Sequence, residues 1–244
     1  MKFMRNIIQE YKPDIIYIQE HHFRTNKDIV TAFRALKGKL LGVSLAPVGD
    51  IFAGVATFVP ESSILYNLVE DHSISRDGRW AAITIKTDSD ILHVINVYAP
   101  ASSKAARESF FELLTLEKCM TEPNLIMVGD WNFVSDRLDK LNLNGHVDPS
   151  PHPIAEKMLN DAELIDILRY YDDESVITTY KAEGRPSWSR LDRWYSHPDI
   201  LDDLAVLPNI SAPAISDHDI IRIQYGNPYR PDKPKHPIYR IVVP

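Results

Sequence analysis

The chain has 244 residues, of which 44% are hydrophobic, and a formal net charge of −7 from 27 Lys and Arg against 34 Asp and Glu. This composition supplies one well-buried core, so we expect a single large domain. The acidic balance argues against a protein that coats nucleic acid indiscriminately, although a divalent cation lets an acidic site meet a phosphate. Cys119 is the one cysteine, which excludes an internal disulfide framework and a Cys-rich zinc site and favours a reducing compartment.

The sequence contains no candidate membrane segment. No apolar run approaches the roughly 18 residues of a membrane span, and the first residues lead into an amphipathic pattern instead of a signal-peptide core. We therefore expect a soluble, intracellular protein that does not bind membranes. No sequence feature points to a protein partner.

The hydrophobic pattern predicts helices and strands in an order typical of a layered α/β protein with mixed sheets. Residues 3–11 have helical spacing, and Pro13 separates them from a short β-branched strand at 15–18. Further strands are predicted at 54–59, 80–86, 92–99, 125–128, 176–180, 191–196 and 220–225. Further helices are predicted at 28–36, as one long helix between 99 and 125 with Ser102 or Ser103 as its N-cap, and from 154 to about 170.

Two segments interrupt this pattern. Residues 135–153 are polar and contain Asn, Gly and Pro, which predicts a surface loop. Residues 227–244 carry repeated prolines, which predicts an extended tail or linker outside the core. We therefore expect a domain at 1–226 followed by a Pro-rich tail at 227–244.

Polar residues gather where five of the predicted strands end or begin. They are "QEHH" at 19–22, "YAP" at 98–100, "GDWN" at 129–132, "SRLD" at 189–192 and "SDH" at 216–218. Reactive groups in enzymes with buried sheets lie just past strand ends, where the strand holds the backbone and the side chain reaches a cleft. Each segment alone has a simpler interpretation as a turn, a solvated acid, a packing residue or a surface ion pair. Their coincidence predicts one functional site.

The motifs "DIIYIQEHH", "INVYAP", "GDWNFV", "SRLDRWYSH" and "SDHDII" together span residues 14–221. In this order they resemble the endonuclease/exonuclease/phosphatase superfamily, the metal-dependent phosphodiesterases that include apurinic endonucleases, sphingomyelinases and the endonuclease domains of LINE-type retrotransposons. The retrotransposon branch is the most similar, and residues 164–169 resemble the helix that follows its "GDxN" loop. The resemblance implies a four-layered α/β sandwich of the DNase I kind, with two mixed, mainly antiparallel sheets packed face to face and helices outside.

The resemblance also implies roles for the motif residues. Glu20 and Asp217 would bind the metal, Mg²⁺ or alternatively Mn²⁺, since such hard ions prefer oxygen ligands. Asp130 would act as general base or orient the attacking water, and Asn132 would hydrogen-bond the phosphate. Tyr98 would reach the phosphate or the leaving oxygen.

The remaining roles concern a histidine pair and the phosphate backbone. His218 would donate to a phosphate oxygen while Asp192 accepts from its other ring nitrogen. The expected contacts to backbone phosphates, which position a substrate without reading its sequence, are Arg190, Ser189 and Arg79. A substrate contact stays open for His21 and His22, which flank Glu20, although surface histidines are common. No role is assigned to the remaining histidines, which show no metal-type spacing to one another: His72, His93, His146, His152, His197 and His236.

One departure from the family concerns the start of the chain. Family members normally begin with one more strand, ending on an Asn near the metal, whereas this sequence starts in the helix that follows. We therefore expect a missing first strand, unpaired backbone in one sheet and one polar ligand fewer.

The expected function is Mg²⁺-dependent phosphodiester hydrolysis, specifically DNA nicking by the endonuclease of a retrotransposon that also encodes a reverse transcriptase. Such a protein would work in the nucleus, with DNA as its partner. Two alternatives stay open: a lipid or inositol phosphate phosphodiesterase of the same superfamily, and a truncated remnant without catalytic activity.

Overall fold

A computed structural model of the chain describes residues 2–50, 52–87, 90–142, 152–181, 184, 187–211, 216–226 and 236–242. The helices are α1 (Lys2–Tyr11), α2 (Asn26–Phe33), α3 (Lys104–Thr115), α4 (Pro153–Asp161) and α5 (Ile167–Tyr171), with short 3₁₀ helices at Arg34–Leu36, Lys118–Thr121, Arg137–Asp139 and Pro198–Asp203. The strands are β1 (Ile15–Gln19), β2 (Gly38–Ser44), β3 (Val55–Pro60), β4 (Val69–Ile74), β5 (Trp80–Lys86), β6 (Ile91–Tyr98), β7 (Leu125–Asp130), β8 (Lys140–Asn142), β9 (Ile165–Asp166), β10 (Tyr180–Lys181), β11 (Ser187–Ser189), β12 (Asp192–Ser196), β13 (Leu204–Ile210), β14 (Ile220–Tyr225) and β15 (His236–Val242). Within these ranges, no helix is both long and apolar enough to cross a membrane.

Two six-stranded sheets form the centre of the fold, with strand orders β13-β14-β15-β1-β3-β2 and β4-β5-β6-β7-β12-β9. The core between them contains side chains from both sheets, including Tyr17, Ile126 and Trp194. Side chains of α1 and α2 pack on the outer face of the first sheet, and those of α3 and α4 on the outer face of the second. This arrangement confirms the four-layered sandwich, and it explains why β1 and β7, covered on both faces, are almost entirely apolar.

The long helix expected between 99 and 125 is shorter in the structure. α3 is capped by Ser103, one of the two expected caps, and ends at Thr115. The apolar residues Leu113 and Leu116, which extended the helical pattern, are exposed. A 3₁₀ turn and a left-handed Asn124, with φ 51°, then direct the chain into β7.

The helix expected from 154 to about 170 is likewise interrupted. Glu163 has φ 53°, and the Leu164 N–H donates to the Leu159 carbonyl at 2.8 Å, which closes the end of α4. The segment 164–169 therefore contributes the short strand β9 and then α5, whose N-cap is Asp166. Periodicity alone missed this break because the apolar spacing continues across it.

Several strands also differ from the prediction. The strand expected at 176–180 is reduced to Tyr180–Lys181. Strands β2, β4 and β13 were not predicted; each is incompletely buried, because each lies at one end of a six-stranded sheet. Part of the predicted loop at 135–153 forms a 3₁₀ turn and β8, and its remainder at 143–151 lies outside the described residues.

Part of the tail expected outside the core forms a central strand instead. β15 pairs in parallel with β1, from Ile15 opposite Ile238 to Gln19 opposite Val242, and antiparallel with β14. The linker interpretation is therefore corrected for residues 236–242, while 227–235 and 243–244 lie outside the described residues. The unpaired backbone expected in one sheet is corrected as well, because β15 pairs with both β1 and β14. The physical reason is that a gap between these strands would leave backbone N–H and C=O groups without partners, and a further strand satisfies them.

Candidate active site

The ends of three neighbouring strands place Tyr98, Asp130 and Asp192 side by side. Tyr98 of β6 and Asp192 of β12 are both register partners of Asp130 in β7. All three are buried, with 2%, 3% and 1% exposure. Because β6 and β7 are parallel, their carboxyl ends coincide, and the antiparallel β12 begins where β7 ends. Sheet register therefore creates one row of polar side chains, which we call the polar row.

The turn after β7 holds the Asp130 carboxylate. The Asn132 backbone N–H donates to Asp130 Oδ1 at 2.9 Å, and Asn132 Nδ2 donates to Oδ2 at 3.1 Å and to the Ala99 carbonyl at 2.8 Å. Asn132 has φ 51°, a left-handed conformation that Asn adopts more readily than most residues. Gly129 has φ 150°, and a Cβ there would lie 1.8 Å from the Val97 carbonyl oxygen. The segment is thus both a turn and a support for the buried Asp130 carboxylate.

Trp131, between Asp130 and Asn132 in the sequence, points away from the polar row. It is fully buried in the core beneath α3 and stacks on Phe111 with a ring separation of 5.8 Å. Its packing anchors the turn that carries the neighbouring carboxylate and amide.

Asp192 and His218 form a buried hydrogen-bonded pair. His218 Nδ1 lies 2.8 Å from Asp192 Oδ2, the pairing that the resemblance implied. The Tyr180 ring packs on the imidazole with centroids 4.8 Å apart. Ligand atoms of Asp130, Asp192 and His218 all lie within 4.8 Å of one another, so the pair belongs to the polar row.

Glu20 reaches Tyr98 from the other sheet. It follows β1 with φ 54°, a left-handed conformation that costs free energy for a non-glycine residue. The Tyr98 hydroxyl donates a hydrogen bond to Glu20. Burial first, and then the negative charges of Glu20 and Asp130, raise the pKa of Tyr98 far above its usual range. Tyr98 is therefore a protonated donor at neutral pH.

A buried amide pair supports this part of the site. Gln19 Nε2 donates to Asn96 Oδ1, which joins β1 of the first sheet to β6 of the second. Asn96 Nδ2 donates to the carbonyls of Ile18 at 3.0 Å and Ala56 at 3.2 Å. Asn96 was not among the predicted site residues, although an amide inside the apolar run "INVYAP" is a recognisable signal, because a buried polar group needs partners.

Two arginines lie beside the polar row. The Arg79 guanidinium sits 4.8 Å from the centre of the Tyr98 ring and pairs with Asp50. Its Nη1 is buried and has no hydrogen-bond partner among the described residues, which makes it a donor that suits an anion. Arg107, missed at the sequence level, has its pKa lowered by burial, an effect that the charge of Asp130 opposes.

Three predicted residues are not brought into the row. Arg190 is 2% exposed and donates to Asp139 Oδ1 at 2.7 Å and Asp166 Oδ1 at 3.1 Å, and this buried pairing replaces the phosphate contact expected for it. Ser189 lies in β11 of a small third sheet. Asp217 is exposed and stands outside the group of close ligand atoms found in the described part of the chain. The roles of Ser189 and Asp217 stay predictions.

A four-layered sandwich with buried acids at adjoining strand ends is the architecture of the DNase I-like hydrolases of phosphate esters, and the chain falls in this class. The model of the Endonuclease/Exonuclease/phosphatase family matches residues 1–218. The chain therefore belongs to this family, as the sequence motifs indicated.

Solved structures with the same fold include several nucleases. The 3'-5' exonuclease NExo from Neisseria meningitidis has a TM-score of 0.70 and 19% identity, with 92% of this chain and 94% of that chain covered. The AP endonuclease LMAP from Leishmania major has a TM-score of 0.70 and 14% identity, covering 92% and 82%. The endonuclease domain of TRAS1, a telomere-specific non-LTR retrotransposon, has a TM-score of 0.58 and 19% identity, covering 91% and 100%. At these identities the likeness establishes the shared fold.

Proposed function

We propose that this protein is a divalent-metal-dependent phosphodiesterase that nicks DNA, of the retrotransposon endonuclease kind. The observation that carries the proposal is the polar row, in which Asp130, the Asp192–His218 pair and the Tyr98–Glu20 pair meet. Family membership supports hydrolysis of phosphate esters. The names of the matched structures, an exonuclease, an AP endonuclease and a retrotransposon endonuclease, support DNA as the substrate.

The side chains of the site fit a hard divalent cation. Glu20, Asp130 and Asp192 supply carboxylate oxygens, which are the ligands that Mg²⁺ and Mn²⁺ prefer. We assign Glu20 as the principal ligand, with Asp217 as the further ligand that the resemblance implies. When bound, such an ion neutralises phosphate charge and favours ionisation of a water molecule.

Residues of the chain itself then transfer the proton and bind the phosphate and the leaving oxygen. Asp130, held by Asn132, accepts a hydrogen bond from the attacking water and takes its proton. His218 has Nδ1 fixed by Asp192, so Nε2 is the nitrogen that donates to a phosphate oxygen. Tyr98 keeps its proton and donates to the phosphate or to the leaving oxygen, while Arg79 Nη1 contributes positive charge.

The proposal is tested by nicking of supercoiled plasmid in Mg²⁺ by purified protein. Asp130→Asn removes the base and preserves the shape of the turn, so we expect the nicking rate to fall by about 10²–10⁴-fold. Asp161→Asn, an exposed acid in α4, is the matched control and keeps the wild-type rate.

Other outcomes would contradict the proposal. Equal nicking rates for wild type and Asp130→Asn would contradict the assignment of Asp130 as the general base. Turnover of a soluble phosphodiester without nicking of DNA would favour a lipid or inositol phosphate substrate. A folded protein that hydrolyses neither would be a catalytically inactive remnant.

A further inference from the structure

Away from the polar row, His72, His93 and Glu122 bring three metal-ligating side chains to one point on the second sheet. His72 lies in β4, His93 in β6, and Glu122 directly follows the 3₁₀ helix Lys118–Thr121. One ligand atom from each lies within 4.8 Å of the other two. Their spacing in the sequence indicated no site, because only the pairing of β4 and β6 with β5 brings them together.

The distances within this cluster suit a shared ion better than direct hydrogen bonds. His72 Nε2 lies 3.3 Å from Glu122 Oε1, and His93 Nε2 lies 3.7 Å from Glu122 Oε2. Both distances exceed the range of about 2.7–3.2 Å for an N–H···O hydrogen bond. Two ligands of a tetrahedral zinc ion, with bonds of about 2.0–2.1 Å, are separated by roughly 3.4 Å. His72 approaches one oxygen of the Glu122 carboxylate and His93 the other, and the two spacings lie on either side of this value.

The other nitrogen of each ring is already engaged by a hydroxyl group. His93 Nδ1 lies 3.2 Å from Thr84 Oγ1, and His72 Nδ1 lies 3.1 Å from Ser73 Oγ. In metal sites the non-ligating nitrogen of a histidine usually donates to a hydrogen-bond acceptor, which fixes the tautomer and the ring orientation, and the two hydroxyl oxygens lie where they can accept. A hydrogen on each Nδ1 leaves the lone pair of each Nε2 facing the carboxylate.

We propose that His72, His93 and Glu122 bind one Zn²⁺ ion, with water as its fourth ligand. Two imidazoles and one carboxylate select a borderline transition metal over Mg²⁺, which prefers oxygen ligands. The three side chains are 24%, 13% and 21% exposed, so an ion reaches them from solvent and is partly enclosed once bound. The ion connects β4, β6 and the turn before β7, and it stabilises this part of the second sheet independently of the proposed hydrolysis.

The assignment is tested by calorimetric titration of the full chain with Zn²⁺ in excess Mg²⁺, which occupies oxygen-rich sites. Wild type is expected to bind one equivalent of Zn²⁺. His72→Ala and Glu122→Gln each remove one of the three ligands, so their affinity for Zn²⁺ is expected to be lower by more than about 100-fold. His197→Ala is the matched control. His197 also lies near two acids, at 3.4 Å from Glu163 and 3.5 Å from Asp199, but it belongs to neither of the candidate metal-binding groups found among the described residues. Its zinc binding stays at the wild-type level.

A second readout separates ligation from a structural effect of the substitutions. Zn²⁺ is expected to raise the thermal unfolding temperature of wild type but not of His72→Ala, with circular dichroism confirming that both are folded. Thr84→Val, which removes the hydroxyl beside His93 and keeps the side-chain volume, is expected to weaken zinc binding by about 10–100-fold without changing the stoichiometry. Equal zinc binding by wild type and His72→Ala, or none by wild type in excess Mg²⁺, overturns the assignment.

Discussion

Among single residues, the Asp139 carboxylate is the shared partner of three guanidinium groups. It is fully buried and accepts hydrogen bonds from Arg190 at 2.7 Å, Arg169 at 2.7 Å and Arg193 at 3.1 Å. Burial alone would raise the pKa of Asp139, but the charges of Arg190 and Arg193 outweigh it and hold the pKa well below its usual range. This network positions the start of β12, where Asp192 enters the polar row.

Removing the charge of Asp139 tests this network. Asp139→Asn removes the charge that Arg169, Arg190 and Arg193 share and leaves Arg190 with Asp166 alone, so we expect the free energy of unfolding to fall by about 3–5 kcal/mol. Urea unfolding measures the change. Asp161→Asn, which disrupts an exposed ion pair with Lys157, is the control and should change stability by no more than about 0.5 kcal/mol. Similar losses in the two variants would show that the buried network adds no special stability.

His21 links stability to pH through a buried neutral imidazole. Its Nε2 donates to the Ser44 carbonyl at 3.1 Å and its Nδ1 accepts from the Phe23 N–H at 3.0 Å. Burial lowers the pKa of His21 to about 4. Because the unfolded chain has a pKa near 6.5, it takes up the proton first as the pH falls. The stability contributed by neutral His21 is therefore present above about pH 6.5 and is lost between about pH 6.5 and 4.

The expected loss across this pH range is on the order of 3 kcal/mol. Chemical unfolding of wild type and His21→Gln at several pH values between 8 and 4 measures it. The difference in unfolding free energy between the two proteins should change with pH, because glutamine does not titrate. Parallel stability curves would show that His21 does not carry this dependence.

At the scale of elements, β15 completes the first sheet through two ladders of backbone hydrogen bonds. It is held between β1 and β14, and β1 carries Glu20 into the site directly after its last residue. Without β15, one side of β1 and one side of β14 would face solvent with unpaired backbone groups. The position of Glu20 therefore depends on a segment more than 200 positions away in the sequence.

Truncation of the chain after residue 235 tests this dependence. Each lost backbone hydrogen bond costs about 0.5–1.5 kcal/mol, so we expect the free energy of unfolding to fall by on the order of 5 kcal/mol. Thermal unfolding measures the loss, and a synthetic peptide of residues 236–244 added in trans should restore part of it. A peptide of the same composition in scrambled order is the control. Unchanged unfolding after truncation would contradict the contribution of β15.

At the scale of the whole molecule, the candidate site exists only where the two sheets meet. Glu20 and His218 adjoin strands of the first sheet, whereas Tyr98, Asp130 and Asp192 belong to the second. The Asp192–His218 and Gln19–Asn96 hydrogen bonds cross between the sheets. Catalysis at this site would therefore depend on the packing of the two sheets, because any change that separates them would disperse the polar row even if every residue were retained.

Features that depend on neighbours along the chain can be predicted from the amino-acid sequence alone. The strands β1, β5, β6 and β7, the Ser103 cap and the turn at 129–132 follow from local apolar runs, capping chemistry and side-chain to backbone hydrogen bonds. The order of the strand-end motifs likewise indicated the family, and most of the side chains that these motifs single out lie together in the structure.

Contacts between residues that are distant in the sequence depend on the tertiary structure. It assigned Arg190 to Asp139 and Asp166 instead of a phosphate, inserted β15 beside β1, and assembled His72, His93 and Glu122. Strand order and register produce these contacts, and both depend on the free energy of the whole packed sandwich. No local pattern of residues encodes the free energy of the whole sandwich, so spacing along the chain could not predict these contacts.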